Sequence, residues 1–249
     1  EVDYFDTKLP RFPFDKFADA SNRLGTQMKA TGEVMSIGNS YEESLLKAVR
    51  SLETGVCHVY KKKFDSMENA DMLQYISESP DDRLYAIAQL FRNDVDLENI
   101  RKHTMIETFF LEGIRRIVKM EQEVKGHVHD IDVFRESKRM GFSDKFIALL
   151  WNETEEDIYR FREKNDIFPS YLPVRNLPYM YSTYNVASQQ PTPNPSQKEG
   201  EQKEPASPKI LVLGSGPIRI GQGVEFDYST VHAVWAIQKA GYEAIIINN

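Results

Sequence analysis

ILVLGSGPIRIGQGVEF, residues 210–226, decides the fold class of the C-terminal part of this chain. It opens with an apolar run, and a glycine loop, an amphipathic segment and a second apolar run at 244–247 follow. This order predicts a strand, a turn, a helix and a strand, which is the beginning of a parallel α/β unit. Glycines at such a turn permit positive φ and the close approach of a ligand or another strand. The loop glycines are Gly214, Gly216, Gly221 and Gly223.

A dinucleotide site is one interpretation of this loop. Such a site has glycines in a G-x-G-x-x-G pattern after the first strand and an acidic residue at the end of the second. Here Arg219 occupies the third glycine position, and the second strand ends in Asn248 and Asn249. Two other interpretations remain. The loop is either a plain strand-to-helix turn without a ligand or a specialised loop in which Arg219 and Glu225 have a particular role. A nucleotide-binding function would require measurable affinity of the isolated chain for NAD or ATP.

The composition argues against several classes of function. A net charge of −7 and a hydrophobic content of 41% are typical of a globular chain and argue against a nucleic-acid-binding surface. No apolar run approaches the roughly 18 residues that a membrane-spanning helix needs, and the N-terminus lacks a basic-then-apolar targeting pattern. We therefore expect a cytoplasmic protein without membrane or nucleic-acid partners. Because the first residue is Glu1 rather than methionine, we also expect a piece of a longer chain.

The N-terminal part, residues 1–53, begins irregularly, since Pro10 and Pro13 interrupt any helix. Residues 33–37 predict a short strand. Ser40 and Glu43 have the spacing of a capping box, in which the Ser40 hydroxyl accepts from the first helical turn while the Glu43 side chain bonds back to the residue at the cap. The helix that follows ends near Gly55. Its predicted buried side chains are Leu45, Leu46, Val49 and Leu52.

The central part, residues 54–187, shows helical periodicity and no strand pattern. The run 79–82, Ser-Pro-Asp-Asp, predicts a helix start with a serine cap and a proline at the first helical position. Residues 104–125 predict the longest helix, and two short helices are expected at 143–151 and 154–164. The apolar stripe predicted for the longest helix comprises Ile106, Phe109, Phe110, Ile114, Ile117 and Val118, with Glu121 outside it.

Three local clusters in this part have both a chemical and a structural interpretation. Cys57 and His58 are adjacent, but adjacent residues point in different directions, so Cys57 is expected to be a small buried side chain. The run 127–132, His-Val-His-Asp-Ile-Asp, would be compatible with a divalent metal. Asp130 or Asp132 is more simply explained as a helix cap. The tyrosines of 171–184 are expected to pack against a neighbouring domain.

Residues 188–208 are polar and contain five of the twelve prolines of the chain. No apolar side chain larger than that of Ala206 occurs there. Such a composition cannot bury enough surface to offset its ordering entropy, so it predicts a mobile linker.

Three segments carry a resemblance to one family. The run 214–249 closely resembles the opening of the second synthetase half of carbamoyl-phosphate synthase large chains. The runs KLPRFPFDKF, 8–17, and TQMKATGEVMSIGNSYEESLLKAVRSLE, 26–53, are similar to the end of the first half. The middle, with its closing YMYSTY at 179–184, resembles the helical oligomerisation domain between the halves.

The resemblance implies a mixed fold with a central all-α oligomerisation domain between partial α/β pieces. Those pieces are the end of an ATP-grasp unit and the start of a pre-ATP-grasp, Rossmann-like unit. The implied domains are the end of the first (carboxyphosphate) synthetase domain, the oligomerisation domain, a linker and the start of the second (carbamoyl-phosphate) synthetase domain. Their bounds are 1–53, 54–187, 188–208 and 209–249.

The function implied by the resemblance is that of an ATP-dependent ligase. The enzyme makes carbamoyl phosphate from bicarbonate, two ATP and ammonia, which a glutamine amidotransferase small subunit releases from glutamine, in arginine or pyrimidine synthesis. The residues that bind ATP and Mg²⁺ or Mn²⁺ lie outside this sequence, so it should contain no catalytic residue and be inactive alone. Arg219 and Glu225 match positions that line the carbamate tunnel, although an ion pair that holds the glycine turn is an equal explanation.

Two further expectations concern the helical domain. By analogy with the family it contributes to self-association, whereas the alternative is a free-standing helical interaction module without catalysis. The segment IFPSYLPVRNLPYMYSTY, 167–184, is shorter than in the family and lacks a run similar to DTCAAEF. In the family that run borders both synthetase halves, so its absence calls the activity of the complete enzyme into question.

Overall fold

The computed structural model describes residues 4–14, 16–17, 19–174, 179–185, 208–214, 216 and 225–247, with Glu225 and Phe226 described by backbone only. The strands of this part are β1 (Phe5–Arg11), β2 (Gly32–Gly38), β3 (Ser170–Pro173), β4 (Met180–Thr183), β5 (Lys209–Leu213) and β6 (Glu243–Ile247). The helices up to the centre of the chain are α1 (Tyr41–Ser51), α2 (Asn69–Ser77), α3 (Arg83–Arg92), α4 (Leu97–Thr104) and α5 (Thr108–Gly126). The later helices are α6 (Ile131–Arg139), α7 (Asp144–Trp151), α8 (Glu155–Lys164) and α9 (Glu225–Lys239).

Helix α5 is the centre of one helical core. It packs against α1, α3, α4, α6 and α7, and Leu111, Ile114 and Ile117 are almost completely buried among them. Burial of each such side chain stabilises the fold by about 1.5–3 kcal/mol. The expected fold class is confirmed, because the centre is helical and the flanking pieces are small sheets. Within the described residues, no helix is both long and apolar enough to cross a bilayer.

Two helix boundaries differ from the sequence prediction. Helix α3 begins at Arg83 rather than at Pro80, and Ser79 has a φ of +54°. The backbone of this run pairs with the N-terminal part instead, since the Ser79 carbonyl accepts from the amide of Leu24 at 2.8 Å and Pro80 forms an isolated β-bridge with Arg23. Tertiary contacts therefore compete with the cap that the local sequence predicts.

The predicted helix 104–125 is two helices. Thr104 ends α4, and Met105 adopts a left-handed conformation with a φ of +56° before α5 begins at Thr108. Phe109 and Phe110 are 50% and 45% exposed, so their assignment to the buried stripe is wrong. Their rings lie against that of Tyr41 instead, at centroid distances of 5.5 Å each. The break turns the first residues of α5 toward α1.

The other predicted helices are confirmed. Ser143 caps α7 and accepts from the amide of Phe146. Thr154 caps α8 in a capping box with Asp157. Helix α1 also forms as predicted, with its four expected apolar side chains buried.

The strand predicted at 33–37 is confirmed as β2, whereas its partner β1 and the strands of a second sheet were not predicted. β1 pairs antiparallel with β2, with Pro10 opposite Glu33. Within the described residues β1 pairs with β2 alone, and proline is tolerated in such an edge strand. β3 and β4 form an antiparallel hairpin within the part expected to be helical. Each of these two strands has four residues, which is too short for alternation to be recognised.

The strand–helix–strand prediction at the C-terminus is confirmed. β5 and β6 are parallel, with Lys209 opposite Glu243 and Leu213 opposite Ile247, and α9 connects them. Many apolar side chains of this unit are exposed, among them Leu211, Leu213, Trp235, Ile246 and Ile247. The linker predicted at 188–208 lies outside the described residues except for Pro208.

Gly113 on α5 is expected to tolerate no side chain. A Cβ there would lie 2.3 Å from Cδ1 of Tyr41, whereas a Cβ at Gly126, also on α5, would have no neighbour within 4 Å. We expect Gly113→Ala to lower the free energy of unfolding by roughly 1–3 kcal/mol through overpacking. Gly126→Ala should leave it unchanged or raise it by up to about 1 kcal/mol. Urea denaturation of both variants measures this, and equal stabilities would contradict the packing of α1 on α5.

Candidate functional site: a polar joint around Glu43

The start of α1 contains the buried carboxylate of Glu43, whose side chain is 1% exposed. Ser40 caps the helix, and its hydroxyl accepts from the Glu43 amide at 3.1 Å. The Glu43 side chain bonds back to the amide of Asn39 at 2.8 Å, one residue earlier than the capping box predicts. The shift has a tertiary cause, because the same carboxylate oxygen also accepts from residues of the β4 region.

That region supplies two donors to Glu43 Oε2. They are the hydroxyl of Thr183 at 3.1 Å and the side-chain amide of Asn185 at 3.0 Å. Asn185 donates in addition to the carbonyl of Arg139 at the end of α6, at 3.0 Å. A single carboxylate therefore connects the β2–α1 loop, β4 and, through Asn185, the end of α6.

Lys47 completes the charge balance one turn further along α1. Its ammonium lies 2.9 Å from Glu43 Oε1 and also donates to the carbonyls of Ile37, at 3.0 Å, and Ser182. Burial lowers the pKa of Lys47, although the Glu43 charge opposes the shift. We call Asn39, Glu43, Lys47, Thr183 and Asn185 the polar joint. In the polar joint the donors bind the Glu43 carboxylate and the Lys47 charge balances that of Glu43. Such a group is a structural connection between elements.

A second buried cluster connects α3 and α5. His58 Nε2 and Glu121 Oε1 are 2.9 Å apart, and Arg92 binds the same carboxylate through Nε at 2.7 Å and Nη2 at 2.6 Å. The imidazole stacks on Phe146 at a centroid distance of 3.7 Å. Its Nδ1 is buried and has no hydrogen-bond partner among the described residues. The ring thus contacts α5 through Glu121 and α7 through Phe146, and the neighbouring Cys57 is half-buried.

The electrostatics of this cluster keep the histidine neutral. Burial lowers the pKa of His58 below its ordinary value of 6.5, against the opposing influence of Glu121. Burial alone would raise the pKa of Glu121, but the hydrogen bonds from His58 and Arg92 outweigh it and lower that pKa. The His58 Nε2–H therefore donates to an ionised carboxylate. Sequence analysis placed Glu121 outside the apolar stripe of α5, although its spacing of four from Ile117 puts it on the buried face.

The histidines and aspartates of 127–132 serve the local fold. Asp130 caps α6 and accepts from the amides of Asp132 and Val133, each at 3.0 Å. His129 pairs with Glu153 at 2.8 Å and stacks on Phe161. In the part of the chain that the structure describes, no three His, Cys, Asp or Glu side chains are grouped as a metal site.

The structure describes only part of the glycine loop and of the predicted tunnel residues. The amide of Gly214 donates to the carbonyl of Ile247 at 2.7 Å, and Gly216 has a φ of +73°, which favours glycine. Glu225 begins α9, and its side chain lies outside the description, as do Arg219, Gly221 and Gly223. The pairing of Arg219 with Glu225 stays a prediction.

The tyrosines of 171–184 divide into two groups. Tyr171 and Tyr179 are 53% and 62% exposed. The hydroxyl of Tyr181 donates to Asn39 Oδ1 at 2.6 Å, which joins β4 to the start of α1. Tyr184 packs against the helical core, and burial raises its pKa to about 12.

Loss of the Glu43 charge should weaken the polar joint selectively. We expect Glu43→Gln to lower the free energy of unfolding by about 3 kcal/mol, because Lys47 then stays enclosed without its counter-charge. Amides of β4 should exchange hydrogen faster than those of α5 in this variant. Glu156→Gln, at an exposed pair with Arg160, is the control and should cost less than about 0.5 kcal/mol. Unchanged exchange in β4 would contradict the role of the joint.

His58 should make the stability depend on pH. Its pKa is depressed in the folded state, so the unfolded chain takes up a proton below about pH 6.5 while the folded chain does not. Stability is therefore retained above that pH and decreases as the pH falls, by at most about 1.4 kcal/mol per pH unit. Glu121 contributes only at lower pH, since its own pKa is also depressed.

We expect His58→Phe to make the unfolding free energy less dependent on pH between about pH 7 and about pH 5.5. Urea denaturation at several pH values measures it. The exposed side chain of His103 provides the matched control variant, His103→Gln. A wild-type slope in His58→Phe would show that another group is responsible.

Comparison with known families matches two stretches of the chain. A model described as the carbamoyl-phosphate synthetase large chain, oligomerisation domain, matches residues 33–166, more than half of the chain. It spans β2 to α8 and so includes Glu43, His58 and Glu121. A second model, the carbamoyl phosphate synthase preATP-grasp domain, matches residues 206–249, which contain β5, α9 and β6. The chain therefore belongs to the carbamoyl-phosphate synthetase large-chain family.

Proposed function

We propose that this chain is the connecting segment of a carbamoyl-phosphate synthetase large chain and joins its two synthetase halves. The observation that carries the proposal is the order of the two matched modules, an oligomerisation domain followed by a preATP-grasp domain. The packing supports it, because the helical centre has a core of its own while β5, α9 and β6 expose much of their apolar surface. Such a surface is typical of an element that packs against more protein.

The same proposal divides the chain at 53, 187 and 208, as the resemblance implies. Helix α1 is the contact between the first two parts. Its side chains Leu45 and Val49 pack into the helical core. Ala48 and Leu52 pack instead against Val34 of β2. A helix that packs on two sides fixes one neighbouring part relative to the other, and this supports the proposed connecting function.

The reaction that we infer for the complete large chain is the ATP-dependent formation of carbamoyl phosphate from bicarbonate and ammonia. The amidotransferase small subunit would supply the ammonia, and the ligands of ATP and Mg²⁺ or Mn²⁺ would lie outside this segment. Carbamate decomposes in water, so a protected route between the halves is a physical requirement. Arg219 and Glu225 are the residues that we assign to this route, with a structural ion pair as the alternative.

We further propose that the segment works in the cytoplasm and self-associates through its helical part. The name of the matched oligomerisation domain supports self-association. A free-standing helical interaction module is the second candidate, favoured by the separate helical core. Sedimentation over a range of concentrations distinguishes monomer from oligomer.

The decisive experiment uses a large chain that carries this segment together with its amidotransferase subunit. We expect Arg219→Ala to lower glutamine-dependent carbamoyl-phosphate formation by about tenfold, or roughly 1.4 kcal/mol. Bicarbonate-dependent ATP hydrolysis and ATP formation from carbamoyl phosphate should persist, because phosphoryl transfer depends on residues elsewhere.

Lys239→Gln, at the exposed end of α9, is the control and should keep all three activities. An equal decrease of all three activities in Arg219→Ala would assign the arginine to the loop structure and refute the tunnel role. Absence of any synthesis with the unchanged segment would refute the connecting function itself.

A further inference from the structure

Glu53, just beyond the end of α1, contacts the glycine loop that follows β5. A Cβ placed on Gly216 would lie 2.9 Å from Glu53 Oε1, 3.3 Å from Cδ and 3.5 Å from Oε2. Among the described atoms, the three nearest to that position therefore all belong to one carboxyl group. The contact joins the end of the N-terminal part to the first loop of the C-terminal part.

The end of α1 does not by itself favour a glutamate at this position. Glu53 has a φ of +50°, in the left-handed region where glycine is the usual residue after a helix. Its amide donates to the carbonyl of Arg50 at 3.1 Å, a bond that any residue with a backbone N–H can make. A carboxylate is moreover disfavoured at the negative end of a helix dipole. The tertiary contacts of the side chain therefore account better for a glutamate here than helix termination does.

Gly216 and Gly241 show what is particular to the loop. Both have a left-handed backbone, with φ of +73° and +85°. A Cβ at Gly241 would have no described neighbour within 4 Å, whereas one at Gly216 would meet the Glu53 carboxylate. Backbone amides beside a left-handed residue form a concavity that attracts an anion. The carboxylate of Glu53 is the anion that the structure places beside Gly216.

Cations of the N-terminal part lie near the same carboxylate. Glu53 lines a cavity of about 420 Å³ together with Arg11, Lys16 and Lys61, and Asp81 is the other carboxylate in this wall. Arg11 and Lys16 belong to the part of the chain that ends at Glu53. Their positive charges attract an ionised carboxylate. Glu53 thus lies between these cations and the glycine loop.

We propose that Glu53 is a positioning residue, whose carboxylate fixes the glycine loop relative to the end of the first synthetase half. The inference rests on the proposed function, because the tunnel role of Arg219 is what makes the position of this loop matter. Arg219 follows Gly216 three residues later in the sequence. Glu53 acts through the loop and not on the reacting atoms. A displaced loop would expose carbamate to water, so that ATP would be consumed without product.

The contact is tested on the 249-residue chain without any measurement of activity. We expect Glu53→Ala to shift the backbone amide resonance of Gly216, because the carboxylate beside that residue is removed. Glu78, an exposed glutamate directly after α2, provides the matched control, and Glu78→Ala should leave the Gly216 resonance unchanged. An unchanged Gly216 resonance in Glu53→Ala would overturn the proposal, whatever the function of the chain.

The consequence is tested in a complete large chain with its amidotransferase subunit. We expect Glu53→Ala to raise the amount of ATP hydrolysed per carbamoyl phosphate formed by about threefold. Bicarbonate-dependent ATP hydrolysis and ATP formation from carbamoyl phosphate should both persist, and Glu78→Ala should keep the wild-type ratio. A merely structural role would lower all activities together and leave the ratio unchanged. A wild-type ratio in Glu53→Ala would therefore overturn the positioning role, while synthesis with the unchanged segment would still support the connecting function.

Discussion

The enclosed carboxylate of Glu43 is the interaction on which the contact between β4 and the start of α1 depends. Removal of a carboxylate from water costs several kcal/mol unless donors and a counter-charge surround it. Here the donors come from Asn39, Thr183 and Asn185, and the counter-charge from Lys47. Because all of them are required at once, β4 is held against α1. The bonds of Lys47 to the Ser182 carbonyl and of the Tyr181 hydroxyl to Asn39 add to this contact.

The centre of the helical part also contains a buried carboxylate, that of Glu121, which several donors surround. Most of its helices are short, with α4 and α7 at eight residues each, and helices of that length are unstable alone in water. Buried charges add specificity to the apolar core. Glu121 binds both His58 and Arg92, and thereby connects α5 to α3 and to the segment before it. Each cluster combines one carboxylate with hydrogen-bond donors from different elements, so an element in the wrong position would leave the carboxylate without some of its donors.

This construction suits a connecting segment. Helix α1 contacts the helical core on one side and the β1–β2 pair on the other. The polar joint adds β4 to the same helix. The family match includes β2 and α1 together with the helical part, and α1 packs against both β2 and the helical core.

The sequence by itself determined the family, the mixed fold class, the cap at Ser40, a cap at Asp130 or Asp132, the helices at 143–151 and 154–164, and the strand–helix–strand order at the C-terminus. Only the tertiary structure decided the start of α3, the exposure of Phe109 and the partners of Glu43 and Glu121. The physical reason is the distance along the chain over which each interaction acts. A cap or an apolar period needs a few neighbouring residues, so the local sequence contains it. The bond of Glu43 to Thr183 joins residues 140 positions apart, and that of His58 to Glu121 joins residues 63 apart, so packing alone brings these charges and donors together.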